Sequence, residues 1–324
     1  MRITVLDDYQ DALRTFASFE KLGGHDVQIC NEHVRDVEAL AELLKDTEAL
    51  LLMRERTPVS RALLERLPKL RLISQFGKVP HIDLHACAGR GVTVCSRIVP
   101  GRPSYATAEL TWGLVLAAWR RIPQEAASLQ AGGWQTREAI GSTLRGKTFG
   151  VFGYGRIGAV VSGYAHAFGM NVLVWGREGS RERARAQGHA AAADQESFFR
   201  GADVISLHLD LTPATRGIVR LQDLRAMKQT ALFVNTSRAG LVQEGALVAA
   251  LREGRPGRAA VDVFEVEPVP AAGHPLLSMR NVVATPHLGY VERESLQLMY
   301  ETMVDQVLAF ARGEPLNVVV PAAA

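Results

Sequence analysis

The sequence predicts an α/β protein made of two domains with parallel sheets. Short apolar, strand-like runs alternate with helical stretches along most of the chain. A chain of 324 residues is also long for a single hydrophobic core and fits two domains of ordinary size. A third observation is the segment Pro100-Gly101-Arg102-Pro103, which breaks the first strand–helix series before a long apolar helix begins. Both domains are therefore expected to be Rossmann-like or flavodoxin-like, with helices on both faces of each sheet.

The first series is a small open α/β unit of about 100 residues. Its strands are predicted at residues 3–6, 27–30, 49–53, 70–74 and 92–95, because each run is short, apolar and bounded by polar or glycine-containing stretches. Between them, residues 37–44 and 60–67 have the spacing of apolar positions that is typical of helices.

The second series follows an apolar helix over residues 104–119. Its strands are predicted at residues 148–152, 171–175, 204–208, 231–235, 259–263 and 282–285, enough for a doubly wound nucleotide-binding sheet. The last helix, residues 292–311, has no strand of this sheet left to cover. We expect it to return to the first domain, whose sheet the tail 316–320 would extend.

The predicted organisation is therefore a discontinuous substrate domain, residues 1–101 plus 293–324, with a dinucleotide-binding domain inserted at residues 102–292. Hinges are expected near Arg102 and Tyr290, where the chain passes between the two domains. Closure of the two domains about them would exclude water from a bound ligand.

Composition argues against several classes of protein. Hydrophobic residues make up 47% and charged residues 22% of the chain, and the net charge is only +3. The one local basic excess, residues 177–185, is typical of a solvated helix face, so no nucleic-acid partner is expected. The three cysteines have no metal-ligand spacing, and no metal is expected. No apolar run approaches the ~18 residues of a membrane helix, which together with the acidic N-terminus predicts a cytoplasmic protein with no membrane partner.

A glycine-rich loop follows the first strand of the second series directly and opens a helix. Its sequence is Gly153-Tyr154-Gly155-Arg156-Ile157-Gly158. In that context the first glycine allows a tight turn, the second a close approach of the pyrophosphate, and the third close helix–strand packing. The cofactor's phosphates are expected at the helix N-terminus.

The turn after the next strand bears on the choice of cofactor. An acid there would bond the ribose 2′-hydroxyl of NAD, but the sequence has Trp175-Gly176-Arg177 followed by Ser180 and Arg181. Two arginines and a serine suit a 2′-phosphate, so the sequence favours NADP(H) within a general expectation of NAD(P)H. Glu178 leaves NAD open, because it could serve a ribose hydroxyl if the turn brought it inward.

Three polar residues follow consecutive strands of the second series. Arg238 can bond carboxylate and carbonyl oxygens in one planar fork. Glu267 can favour the protonated form of a nearby histidine, and His287 can exchange that proton. Any one of them alone could be structural, but three at the same sheet edge beside a cofactor loop indicate an active site.

These segments resemble the D-isomer-specific 2-hydroxyacid dehydrogenase family, in its short, glyoxylate/hydroxypyruvate reductase-like form. The cofactor loop, N-T-S-R-A-G, V-D-V-F-E-x-E-P and T-P-H-x-G motifs stand in that family's order from about residue 1 to 320. The resemblance implies that Arg238 binds the substrate's carboxylate and carbonyl. It makes His287 the acid in reduction and the base in oxidation, tuned by Glu267.

The resemblance also implies further cofactor contacts and a partner subunit. Asp262 matches the acid that holds the nicotinamide carboxamide. The other matching cofactor positions are His208, Leu209, Thr215, Thr236, Ser237 and Gly289. Trp134 matches an arm that embraces a second subunit in relatives, so a homodimer is expected.

A second substrate anchor is implied in the first domain. The substrate's carboxylate would accept hydrogen bonds from backbone amides of Phe76, Gly77, Lys78 and Val79. The segment departs from the family pattern, since Lys78 and Pro80-His81 replace a Gly-x-Gly-type loop followed by Asp-Asn. Lys78, with Arg54 or Arg56, could add positive charge for a second acidic group, or each could be an ordinary surface charge.

The expected function is thus NAD(P)-dependent interconversion of a small 2-keto acid and a (D)-2-hydroxy acid. Two alternatives remain open. One is the same fold acting on an unusual acceptor, such as a non-carboxylate oxyanion. The other is a non-catalytic, nucleotide-sensing scaffold.

Overall fold

The computed structural model describes residues 1–99, 104–135, 139–270 and 273–320. It divides into two compact units, unit 1 (Met1–Pro100 and Glu292–Ala324) and unit 2 (Gly101–Val291). Arg102, an expected hinge residue, and the break at residues 100–103 lie outside the described residues.

Unit 1 begins with an alternating series of strands and helices. In chain order these are β1 (Arg2–Leu6), β2 (Asp26–Ile29), α1 (Val37–Leu44), β3 (Ala49–Leu52), α2 (Arg61–Leu64), β4 (Leu72–Phe76), α3 (Leu84–Gly89) and β5 (Thr93–Arg97). Short 3-10 helices at Ala12–Thr15 and Ala17–Leu22 connect β1 to β2. Several predicted bounds were wrong, most clearly those of β4 and α2. β4 starts two residues later than expected because residues 67–70 form a turn, and α2 is one turn only, capped by the Ser60 hydroxyl.

Unit 2 contains the second series. Its elements are α4 (Tyr105–Arg120), α5 (Ile122–Gln130), β6 (Thr148–Phe152), α6 (Arg156–Ala167), β7 (Asn171–Trp175), α7 (Glu178–Ala186), β8 (Ala190–Ala191), α8 (Gln195–Gly201), β9 (Val204–Leu207), α9 (Leu221–Ala226), β10 (Leu232–Asn235), α10 (Ala246–Arg252), β11 (Arg258–Val261) and β12 (Val282–Ala284). Short 3-10 helices lie at Ala239–Leu241 and Pro275–Ser278. The chain then returns to unit 1 with α11 (Arg293–Ala311) and β13 (Val318–Val320).

The sheet of unit 1 has the order β13-β5-β4-β3-β1-β2. The strands pair in parallel except β13, which runs antiparallel to β5 at the edge. α11 packs against β4, where the buried Ser74 hydroxyl donates to Gln306 Oε1 at 2.6 Å and to Met303 O at 3.0 Å. The expected return of the last helix and the added edge strand are therefore both confirmed.

The sheet of unit 2 is parallel throughout, with the order β12-β11-β10-β9-β6-β7-β8. Reversal of the strand order at β6 is the arrangement of a doubly wound dinucleotide fold. The predicted fold class is confirmed. β8 was not predicted, since it is only two alanines long and its strand conformation comes from pairing with β7.

Side chains of β6 alternate between two cores, as the period of a strand requires. Phe149 and Val151 face α4, where the Phe149 and Trp112 rings are 5.4 Å apart. Phe152 faces the other layer and meets Phe198 of α8 at 5.7 Å. The sheet is thus covered on both faces, which leaves its carboxyl edge for polar groups. Within the described ranges, no helix combines the length and apolarity needed to cross a membrane.

Candidate active site

The predicted residues of unit 2 collect at one edge of its sheet. The cofactor loop follows β6, Gly176 follows β7 and His208 follows β9. Arg238, Glu267 and His287 lie in the segments after β10, β11 and β12, which are neighbours in the sheet. Because all these strands are parallel, their carboxyl ends meet at the same edge, where ligands bind in folds of this type.

Steric contacts explain the glycines of the cofactor loop. Gly153 has φ +97°, and a Cβ there would lie 2.5 Å from the carbonyl oxygen of His208. A Cβ at Gly158 would lie 2.3 Å from the carbonyl oxygen of Gly153, so helix α6 approaches the loop too closely for any side chain. At Gly155 the position of a Cβ has, apart from the adjoining residues, no atom of the described chain within 4 Å.

The N-terminus of α6 fits a phosphate group. This helix is 12 residues long, and Gly155 caps it without a hydrogen bond from any side chain in the described ranges. Its first N–H groups and its dipole therefore remain for an anion, and the open space beside Gly155 lets that anion approach the backbone. Gly155, Arg156 and Ile157 would hold the pyrophosphate through these N–H groups.

Two glycines of α6 provide a direct test of this packing. Gly158→Ala should lower the melting temperature, and it should lower the free energy of unfolding by about 1–3 kcal/mol. The reason is that the added methyl group would collide with the backbone of the loop. Gly163→Ala, on the same helix with open space at its Cβ, should raise stability by about 0.5–1 kcal/mol. Equal effects in thermal denaturation would contradict the close helix–strand contact.

The turn after β7 carries the residues that bear on NADP(H). Gly176 has φ +153°, and Arg177 caps α7. The Arg181 guanidinium lies 4.9 Å from the centre of the Trp175 ring, a cation–π distance, and also pairs with Glu178. Glu178 is paired with Arg185 as well, at 2.9 Å, and these arginines lower the pKa of its carboxyl.

The segment after β9 lies against the cofactor loop. His208 donates its backbone N–H to Phe152 O at 2.8 Å, and its ring is 2.9 Å from the Ser206 hydroxyl. Burial lowers the pKa of His208 to about 4, so this ring is neutral at physiological pH. The Leu209 carbonyl accepts from the Ser237 hydroxyl at 2.6 Å, which joins this segment to the Arg238 loop. Thr215 donates to Asp210 O at 2.6 Å and closes the turn that follows.

Two threonines of α4, which the motifs did not single out, form hydrogen bonds to the loops of the candidate active site in unit 2. The Thr107 hydroxyl donates to Gly289 O at 2.7 Å, and the Thr111 hydroxyl lies 2.7 Å from that of Thr236. The two residues are one helical turn apart and therefore face the same side. A pair of hydroxyls at this spacing in an apolar helix is the signal that could have identified them.

Asp262 organises the loop that carries His287. The carboxylate is fully buried and accepts from Thr285 Oγ1 at 2.6 Å, Leu288 N at 2.7 Å and Gly289 N at 3.0 Å. Burial raises the pKa of Asp262, although these hydrogen bonds favour its charged form. The resemblance implied only a cofactor contact for this residue. Its contacts within the chain indicate that it also fixes the loop over residues 285–289.

Glu267 and His287 form the pair expected of an acid–base site. Glu267 Oε2 lies 2.6 Å from His287 Nδ1, and the exposed fraction of each side chain is 18%. Since an ionised carboxylate only accepts, Nδ1–H donates, which leaves Nε2 for proton exchange. Glu267 Oε1 also accepts from Phe264 N at 2.9 Å, so both oxygens are fixed.

The first glutamate of the same motif has a different partner. Glu265 Oε2 is 3.0 Å from His274 Nε2, in a pair whose carboxylate is half exposed. The two glutamates of this short segment therefore pair with different histidines. Only Glu267 contacts the histidine that follows β12, which explains why the spacing of the motif matters.

The loop that carries Arg238 is closed by its own hydrogen bonds. Asn235 Nδ2 donates to Arg238 O at 3.0 Å, and Asn235 Oδ1 accepts from Ser237 N at 3.0 Å. Arg238 itself is half-buried, and its Nη1 donates to Ser237 O at 2.8 Å. The guanidinium is thus held at the carboxyl end of β10, beside the strand end that leads to Glu267.

The predicted substrate residues of unit 1 also collect at one sheet edge. Phe76 ends β4, and Gly77, which has φ +103°, donates its N–H to Arg97 O at 2.9 Å. Arg54 Nη1 lies 3.2 Å from the position of a Cβ on Gly77, so that guanidinium lies against the loop. Lys78 is exposed and Val79 half-buried, and Lys78 O accepts from Gln75 Nε2 at 2.6 Å.

Most of unit 2 matches the model of a known protein family. Residues 112–289 match the family described as D-isomer specific 2-hydroxyacid dehydrogenase, NAD binding domain. Of the sequence relatives, a glyoxylate reductase of Aeropyrum pernix is 39% identical over 261 residues, which cover 78% of this chain and 77% of that protein. A D-3-phosphoglycerate dehydrogenase of Methanocaldococcus jannaschii is 41% identical over 76% of this chain. The match spans only 46% of that relative's length.

Solved structures agree over nearly the whole chain. A phosphoglycerate oxidoreductase of Vibrio cholerae has a TM-score of 0.92 and 49% identity, covering 97% of this chain and 99% of that one. A D-lactate dehydrogenase of Escherichia coli has a TM-score of 0.83 at 26% identity, covering 99% and 100% of the two chains. The doubly wound architecture is therefore shared at two very different levels of sequence similarity.

Proposed function

Because the chain belongs to the D-isomer specific 2-hydroxyacid dehydrogenase family, a family of NAD-binding oxidoreductases, we propose that it interconverts a 2-keto acid and a (D)-2-hydroxy acid. The observation that carries the proposal is the 2.6 Å contact between Glu267 and His287 at the edge of a nucleotide-binding sheet. A histidine held in this way can give and take a proton at each turnover.

His287 exchanges the proton at the substrate's carbonyl oxygen. In reduction its imidazolium gives that oxygen a proton from Nε2, while Nδ1–H stays on Glu267. In oxidation the neutral ring removes the proton again. When bound, the nicotinamide supplies or accepts the hydride at the carbonyl carbon. Glu267 contributes by orienting the ring and stabilising its positive charge, as the carboxylate of a catalytic triad does.

Arg238 binds the carboxylate and the carbonyl oxygen of the substrate. A guanidinium presents parallel N–H donors that match two oxygens of a 2-keto acid, and its charge stabilises the developing alkoxide. The closed loop from Asn235 to Arg238 limits the positions that the side chain can reach. Orientation of the substrate follows from this restriction.

Arg54 and the loop over residues 76–79 form a second substrate-binding set in unit 1. The support is their mutual contact, since Arg54 Nη1 lies against Gly77. Arg54 and the exposed Lys78 add positive charge, which suits a substrate with a second acidic group. We therefore propose that the substrate is a small 2-keto acid, with the dicarboxylic or phosphorylated members preferred.

NADP(H) is the proposed cofactor. Residues 177–185 contain four arginines and two glutamates, a local net charge of +2 after β7. Glu178, the residue that could serve NAD, pairs with two arginines of its own helix, which engages its carboxylate. Arg177 at the cap of α7 and Arg181 on Trp175 are the groups that would meet a 2′-phosphate.

Substitution in α7 tests this preference. Arg177→Gln and Arg181→Gln should each raise the KM for NADPH about tenfold, as loss of a charge-assisted hydrogen bond does, with the KM for NADH within about twofold. Arg185→Gln is the control, because Arg185 also pairs with Glu178 but lies one turn farther along the helix. Equal increases for both cofactors would contradict a role in binding the 2′-phosphate.

A homodimer is the proposed assembly. Support comes from apolar side chains of α5 and the segment after it, which are exposed in a single chain. The exposed fractions are 54% for Ile122, 59% for Leu129, 78% for Trp134 and 82% for Ile140. Ile122, Leu129 and Trp134 line one surface pocket, and exposed apolar patches are typical of protein interfaces. Light scattering should give twice the chain mass of 35.3 kDa, and a monomer mass would contradict the proposal.

The first experiment is to follow absorbance at 340 nm with glyoxylate, hydroxypyruvate and phenylpyruvate, each with NADPH and with NADH. Loss of absorbance with at least one pair is the expected result. No loss with any pair, in protein that binds the cofactor, would contradict the proposed reaction. The same assay with 2-ketoglutarate and oxaloacetate compares the dicarboxylic members directly.

A further inference from the structure

We infer that Asp7 and Thr57 are positioning residues for Arg54, because the Asp7–Thr57 hydrogen bond anchors the loop that carries Arg54 within a row of residues along the carboxyl edge of the unit 1 sheet. The row consists of His33, Asp7, Thr57, Arg54 and Gly77. His33 follows β2, Asp7 follows β1, Thr57 and Arg54 follow β3, and Gly77 follows β4. These strands are neighbours in the sheet in the same order, β2, β1, β3 and β4. The inference rests on the proposed function, in which Arg54 binds the substrate.

Asp7 is the centre of the row and is almost fully buried, with 2% of its surface exposed. One carboxylate oxygen, Oδ2, accepts from the Thr57 hydroxyl at 2.6 Å. The other, Oδ1, lies 2.8 Å from His33 Nδ1 and 3.3 Å from the Tyr9 hydroxyl. A buried carboxylate is expensive unless its oxygens are bonded, so these contacts fix where it lies. Thr57, itself buried, is held in turn.

The backbone conformation indicates that this edge is constrained. Asp7 has φ +61° and Arg54 has φ +60°, a left-handed region that residues other than glycine seldom adopt. Such conformations persist only where surrounding contacts impose them, and they concentrate at functional sites. The Thr57–Asp7 hydrogen bond is one contact that can impose the conformation at Arg54, because it anchors the same loop three residues later.

The other side of the Arg54 loop is also fixed. Gly77, against which the Arg54 guanidinium lies, accepts from Ser96 Oγ at its carbonyl and donates its N–H to Arg97 O. The loop after β3 is therefore placed between Asp7 on β1's side and Gly77 on β4's side. If Thr57 lost its hydrogen bond to Asp7, the loop after β3 would no longer be anchored near Arg54. The Arg54 side chain could then change its direction. The guanidinium is a substrate-binding group only in its position against Gly77.

The experiment compares Thr57→Val, which keeps the shape but removes the hydroxyl, with Thr57→Ser, which keeps the hydroxyl. Thr57→Val should raise the KM for the 2-keto acid about tenfold, with kcat and the Kd for NADPH within about twofold. Thr57→Ser should stay close to wild type. Asp7→Asn provides a second test if Thr57→Val does not fold, because it keeps the side-chain size and replaces one acceptor oxygen with a donor.

Coupling to Arg54 separates positioning from a general structural role. If Thr57 acts through Arg54, the double variant Thr57→Val/Arg54→Lys should be no worse than Arg54→Lys alone. Additive losses in KM, or a Thr57→Val effect on kcat or NADPH binding instead of KM, would overturn the inference. So would wild-type kinetics for both Thr57→Val and Asp7→Asn.

Binding of N-oxalylglycine, a dicarboxylate analogue of 2-ketoglutarate that is not reduced, keeps this test separate from the proposed reaction and supplies the second acidic group for Arg54. Calorimetry with NADPH present should show about a tenfold weaker Kd for N-oxalylglycine in Thr57→Val than in wild type or Thr57→Ser. Wild type that binds N-oxalylglycine but reduces no keto acid would refute the proposed reaction and leave the positioning role measurable. Equal N-oxalylglycine affinities in wild type and Thr57→Val would refute the positioning role whatever the enzyme reduces.

Discussion

His287→Gln should lower kcat about 10³-fold for keto-acid reduction while the Kd for the cofactor stays within about twofold. Glutamine keeps a side chain of similar reach at the end of β12, but it cannot carry a proton to the substrate. The rest of the loop is held by Asp262, so the fold of this edge should survive the change. Stopped-flow absorbance for turnover and fluorescence quenching for cofactor binding give the two quantities.

The neighbouring His274–Glu265 pair is the matched control for this variant. Both histidines are within 3.0 Å of a glutamate of the same short segment. His274→Gln should therefore leave kcat within about twofold, because that histidine is not the proposed proton donor. Comparable losses in both variants would indicate that the segment over residues 264–268 matters structurally and that His287 has no special part in proton exchange.

Arg238→Lys should reduce kcat/KM about a hundredfold or more, with kcat lowered and KM raised together. Lysine keeps the charge but replaces the planar fork with a single ammonium, which cannot bond the carboxylate and the carbonyl oxygen at once. Both substrate binding and the transition state should be weakened, since the Arg238 guanidinium is proposed to contact the substrate in both. Steady-state kinetics with a single keto acid are sufficient to measure it.

Arg252→Lys, on the exposed last turn of α10, controls for a general effect of replacing arginine in unit 2. It should leave both constants unchanged. Normal kinetics for Arg238→Lys would remove that residue from the mechanism. A change in KM alone would restrict it to substrate binding.

Much of the fold could be predicted because its signals are local. The strands of the second series are short apolar runs, and the glycine loop sits directly between one of them and a helix, so spacing alone predicts the α6 N-terminus. The proximity of Arg238, Glu267 and His287 also follows from the sequence, because parallel strands bring their carboxyl ends to one edge. Which of the two glutamates pairs with His287 came from the family resemblance.

Other features depend on contacts between distant parts of the chain. β8 has no strand signal of its own, and the Asp7–Thr57 bond joins residues 50 positions apart. Likewise Thr107 reaches Gly289 across 182 positions. A hydroxyl or carboxylate in such a place looks like any buried polar residue until the strand order is known. The sequence could not identify these positioning contacts for that reason.

The buried Asp262 has a consequence for the thermodynamics of turnover. With both of its oxygens bonded to the segment 285–289, and Thr107 bonded to Gly289 O, that segment has little conformational freedom left before any ligand arrives. The entropy of ordering His287, the proposed proton donor, is then lost once, during folding, and does not recur with each substrate molecule. The activation barrier of the chemical step should accordingly contain only a small entropic part from this loop.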